Sequence, residues 1–112
     1  MAAVTDIFIE IEDYMQENTS PERILFMTVI LQALLDASKP STTNESERAK
    51  IDRANAQAWF FASVGVTAED FTTVCDMAGI DAQYTRSFAY KVIRSKEVEY
   101  TRKKINSILS NI

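Results

Sequence analysis

The sequence predicts an all-α fold, about six helices in one compact bundle, and three observations carry that prediction. Only two glycines and two prolines occur in 112 residues, so the chain is poor in turn formers. Apolar residues recur three and four positions apart along most of its length, which is the period of an amphipathic helix. Helix-start signals punctuate the chain at Ser20-Pro21, Asn44, Thr67 and Asp81, and no stretch alternates convincingly in the manner of a strand.

Taken in order, Val4, Ile7, Phe8, Ile11, Tyr14 and Met15 form an apolar stripe, with Asp6, Glu10, Glu12, Asp13 and Glu17 on the acidic outer face of a first helix. Ser20-Pro21 restarts the chain as a cap followed by proline at the first helical position. The helix that follows, to about Ala37, is apolar on most sides, as expected of a segment buried centrally or covered by a partner. Residues 39–46 (KPSTTNES) read as a flexible linker between an N-terminal helical pair, 1–38, and a second half, 47–112, of one domain. Asn44 and Glu47 have capping-box spacing and open a third helix to about Ser63. Three consecutive rings, Trp59-Phe60-Phe61, place at least one aromatic off its buried stripe.

Val64-Gly65-Val66 breaks that helix, and residues 67–93 read as a helix-turn-helix. Counted from Phe71, small or apolar residues stand at positions four, five, eight, ten and eighteen (Val74, Cys75, Ala78, Ile80, Phe88), and Gly79 stands at nine. Two crossed helices need that arrangement: small residues at the close approach, and a glycine where the chain enters positive φ. The last helix, roughly Lys96 to Ile112, carries Val98, Thr101, Ile105, Ile108 and Ile112 three and four residues apart. That seam reads as an oligomerisation surface (Val98, Ile105, Ile108, Ile112) or as packing on the chain's own core.

Composition narrows the function. There is no histidine, so the usual general base and most zinc or iron sites are missing, and the chain is read as a non-enzyme without a cofactor or metal. The single cysteine, Cys75, lies on an apolar face and fits a core thiol in a reducing, cytoplasmic setting. The most apolar run, Ile24 to Leu35, is interrupted by Thr28 and Gln32 and is too short to cross a bilayer, so no membrane role is expected. Net charge is −4, but residues 1–83 carry fourteen acidic and five basic side chains, whereas residues 84–112 carry two and seven. The resulting balances of −9 and +5 place a basic segment on an acidic body, a footprint for phosphate or one half of an internal complementarity.

If the second motif helix enters a major groove, Gln83, Arg86, Ser87 and Tyr90 face bases, with Gln83 suited to adenine and Arg86 to guanine. Lys91, Arg94, Lys96 and Lys103 then face phosphates. Against this stand Glu69, Asp70 and Asp76 on the first motif helix. The expected partner is double-stranded DNA, bound by a dimer or larger homo-oligomer. The competing reading is a module that docks on another protein, without touching DNA, through the acidic first helix and the apolar helix Ile24 to Ala37.

From Ala58 onward the pattern AWFFASVGVTAEDFTTVCDMAGIDAQYTRSFAYKVI resembles a group of small proteins of tailed phages and prophages. These pair an AxxWF helix, matched by Ala56, Trp59 and Phe60, with a DFxxVCxxAGxDxxYxR segment. Asp70, Phe71, Val74, Cys75, Ala78, Gly79, Asp81, Tyr84 and Arg86 match that segment. The resemblance implies a phage origin, a host-cell location and a helix-turn-helix-like C-terminal half, and brings no activity with it. Phage proteins of this size include repressor-like regulators, small terminase subunits and host-takeover factors. The pattern departs from DNA-binding helix-turn-helix units at Thr85, where those usually bury Val or Ile.

Overall fold

A computed structural model of the chain describes Asp13, residues 20–95 and residues 98–111. Five helices run through the described residues: α1 (Pro21–Ala37), α2 (Glu47–Phe61), α3 (Val66–Ala78), α4 (Ala82–Arg94) and α5 (Val98–Ser110). None of the described residues is in a strand, so the fold is all-α as the apolar spacing predicts. Apart from Asp13, which is helical and exposed, the expected first helix lies outside the described residues, as do Lys96 and Ile112.

The core is organised around α1. Its apolar residues surround the helix rather than forming one stripe, so it buries Met27, Ile30, Leu31, Leu34 and Leu35 by packing against α2, α3 and α5. Pro21 starts it with a pre-set φ, and Ser20 precedes it in extended backbone without a side-chain cap bond. α3 lies along α1 and inserts Phe71, Val74, Cys75 and Ala78. One continuous apolar cluster therefore reaches from Met27 through Phe60, Phe71 and Phe88 to Ile108.

Helix ends differ from the expected ones in two places. α2 is capped by Ser46, whose hydroxyl accepts from the Ala49 amide at 3.1 Å, and not by Asn44. α3 begins at Val66 behind Gly65 at φ 93, one residue before Thr67, and has no side-chain cap. The 39–46 segment is held in place: Arg53 makes a two-pronged bond to Glu45 at 2.7 Å on each prong, and also donates to the Lys39 carbonyl at 3.5 Å. That guanidinium keeps the Glu45 carboxyl below its ordinary range, against a smaller opposing effect of desolvation.

The α5 seam is not a free oligomerisation surface. Thr101, Ile105 and Ile108 are buried in the chain's own core and Val98 is half-buried, because α5 packs on α1 and α4. Its β-branched stripe packs within one chain, so Ile105 and Ile108 are not exposed as an intersubunit seam, and Val98 is only partly so. Ile112 lies outside the described residues.

Candidate nucleic-acid interface

α2, α3 and α4 form a three-helix unit in which α3 and α4 are joined by Gly79, Ile80 and Asp81 alone. The tight turn follows from local chemistry. Gly79 takes φ 74, its amide donates to the Asp76 carbonyl at 3.1 Å, and the Ile80 amide donates to Cys75 at 3.0 Å. Those two bonds close α3 in the pattern that a left-handed glycine permits. Asp81 then starts α4 by accepting the Tyr84 amide on its carboxylate at 2.7 Å. Thr85 is buried, and its hydroxyl donates to the Asp81 carbonyl at 2.8 Å, so its polar group is satisfied within its own helix.

One stripe of α4 faces outward. Gln83, Ser87, Tyr90 and Arg94 succeed one another at intervals of four, three and four residues, and all four are exposed. Tyr90 is 54 % exposed, meets Phe61 of α2 edge-on at 6.4 Å, and carries the Arg94 guanidinium 5.3 Å from its ring centroid. Lys91 is half-buried beside them, and α4 contains no acidic residue. Five ion pairs between described side chains lie between Asp36 and Arg53, and none of these involves Lys91, Arg94 or Lys103. Lys103 is exposed on α5, and Lys96 lies outside the described residues.

Arg86 stands apart from the stripe. It is half-buried, its Nε donates to the Phe60 carbonyl at 2.9 Å, and its guanidinium lies 5.2 Å from the Phe71 ring centroid. Its Nη1 donates to Gln83 Oε1 at 3.1 Å. The arginine expected to read a base is thus fastened to the end of α2, which its length and the spare carbonyls of a helix C-terminus favour. Arg102 does the same at the end of α1, donating to the Leu35 carbonyl and to Ser38 Oγ. Part of the C-terminal positive charge is therefore spent on helix carbonyls inside the fold.

Sequence reasoning missed Phe61 as a neighbour of Tyr90, although the run of three rings required one to leave the core. It also missed the bond from Trp59 Nε1 to Asp70 at 2.6 Å, which occupies one of the acidic groups on α3. Glu69 and Asp76 remain exposed on that helix. Among the described residues no group of three or more Cys, Asp or Glu side chains is placed to hold a metal ion. No described helix is long and apolar enough to cross a membrane. No protein-family model, curated protein or solved structure matches the chain.

Proposed function

We propose that this is a non-enzymatic DNA-binding protein that lays α4 in the major groove of double-stranded DNA. The observation that carries the reading is the exposed stripe Gln83, Ser87, Tyr90 and Arg94, on a helix that holds no acid in an otherwise acidic chain. Lys91 and Arg94 supply phosphate contacts, Lys103 adds charge from α5, and the polar side chains of the stripe face base edges. The resemblance to tailed-phage proteins supports a regulator of transcription or a packaging factor acting in the host cytoplasm.

The test is fluorescence anisotropy with duplex DNA across a salt series, comparing wild type with Lys91→Ala/Arg94→Ala. Binding weakens steeply with salt, and the double variant lowers the slope of log affinity against log salt by about 2, one for each lost phosphate contact. Arg86 is left intact because its loss would loosen the α2–α4 junction. No binding at low salt by a folded protein rejects the reading.

A second reading has one specific observation in its favour. α1 exposes Leu25 at 60 % and Val29 at 41 %, beside a shallow groove of about 290 Å³ bordered by Val29, Ala33, Asp52 and Trp59. An apolar patch of that kind supports docking on a host or phage protein. Retention of partner binding by the Lys91→Ala/Arg94→Ala variant, with loss in Leu25→Asp, distinguishes it.

A further inference from the structure

We infer that Gln83 is a guanine reader and that Arg86 is the positioning residue that makes it one; the inference rests on the proposed entry of α4 into the major groove. A free glutamine carboxamide is two-sided. It pairs with adenine by accepting from N6 on Oε1 while donating to N7 from Nε2. Gln83 is not free in that sense, because Arg86, one turn further along α4, donates Nη1 to its Oε1 at 3.1 Å.

A guanidinium has only hydrogens to give, so the atom facing it is the carbonyl oxygen and never the amide nitrogen. The orientation of the Gln83 amide is therefore set by its neighbour. Arg86 is held in turn, by its Nε bond to the Phe60 carbonyl at 2.9 Å and by the face of Phe71, a ring with no exposed surface. Two helices other than α4 thereby fix the side chain that orients Gln83. A planar fork can bond two acceptors set apart, Nε on one and Nη1 on the other, in a fixed geometry that a compact ammonium does not reproduce.

The chemistry that follows is donor chemistry. Oε1 is turned toward Arg86, so the groove meets the two Nε2 hydrogens of Gln83. In the major groove guanine presents two adjacent acceptors, N7 and O6, whereas adenine sets an amino donor beside N7 and cytosine presents an amino donor. The two donors meet two acceptors on guanine, a single acceptor on adenine (N7) or thymine (O4), and a donor on cytosine, so guanine is favoured by the second bond and cytosine is rejected by repulsion. The adenine expected from the sequence presupposes a carboxamide with both atoms available.

The experiment is selection from a random duplex library, with wild type, Gln83→Glu and Arg86→Lys taken in parallel and each shown to be folded by circular dichroism. Wild type selects guanine at one position. Gln83→Glu, which only accepts, moves that position to cytosine with a preference of roughly tenfold. Arg86→Lys cannot hold the Phe60 carbonyl and Gln83 together, so the guanine preference falls while the salt slope stays unchanged, as expected for a charge that touches no phosphate. Adenine at the position that Gln83 controls would overturn the inference. So would a consensus indifferent to Gln83→Glu, or binding without base preference, and both leave DNA binding itself intact. A wild type that selects no duplex at all overturns the inference and the proposed function together.

Discussion

Replacing Arg102 with alanine tests whether the basic C-terminal segment is partly an internal fastening. Arg102 donates Nη1 to the Leu35 carbonyl and to Ser38 Oγ, the latter at 3.0 Å, and both residues are buried. A hydrogen bond from a charged group contributes about 1.5 to 3 kcal/mol, and a cation at a helix C-terminus adds about 0.3 to 1 kcal/mol. The Ser38 hydroxyl softens the loss little, because its one hydrogen goes to the Leu34 carbonyl at 2.7 Å and the Leu35 oxygen lies farther off at 3.3 Å. The expected cost is therefore about 2 to 4 kcal/mol, a large fraction of the roughly 5 to 15 kcal/mol that stabilises a domain of this size. Urea unfolding followed by circular dichroism reads it as a lower midpoint with an unchanged slope. Arg102→Lys recovers part of the loss, because the charge stays while the fork is gone. Lys103→Ala, the exposed neighbour, changes stability by less than about 0.5 kcal/mol. Equal effects of Arg102→Ala and Lys103→Ala would refute the reasoning.

Thr101→Val raises stability by about 1 kcal/mol, because Thr101 is fully buried and its Oγ1 has no hydrogen-bond partner among the described residues. A lower urea midpoint in that variant would mean the hydroxyl is satisfied. Gly79→Ala costs about 1 kcal/mol, since φ 74 is a conformation that a Cβ opposes, and an unchanged thermal midpoint would contradict it. The Arg53 guanidinium depresses the Glu45 carboxyl, so their pairing stabilises the fold fully above the ordinary carboxylate value of 4.5 and fades as pH falls through the lower folded value. Glu45→Gln accordingly lowers the thermal midpoint at pH 7 and by less at pH 3, whereas an equal deficit at both would exclude the linkage.

Much of the helical framework is legible in local chemistry. Pro21, Gly79 and Asp81 mark helix ends because each acts on its own backbone, and the expected helix-turn-helix joint falls where they place it. Ser46 was harder to see. Asn44 has the better capping-box spacing, but the bond goes to whichever side chain stands directly before the first helical turn. The site was legible as a set of exposed positions on α4 and not as a set of free side chains. Arg86 bonds a carbonyl 26 residues earlier and Arg102 one 67 residues earlier, and no periodicity within one helix carries such pairings. The α5 stripe shows the same limit. A β-branched seam has one pattern whether it meets its own α1 and α4 or a second chain.

The closing of α1 by distant residues has a consequence for the order of folding. Its final carbonyls are served by Gln57 at Ala37, 20 residues away, and by Arg102 at Leu35. Most of this chain's contacts within helices form locally, but the last turn of its most buried helix waits for a residue that is made long after it. Without α5, the Leu35 carbonyl keeps only water and the 3.3 Å contact of the Ser38 hydroxyl, and the apolar turn around it is open to solvent. Opening of the last turn of α1 is therefore coupled to the detachment of α5. Hydrogen exchange in the last turn of α1 would follow the detachment of the C-terminal helix rather than fraying of α1 itself.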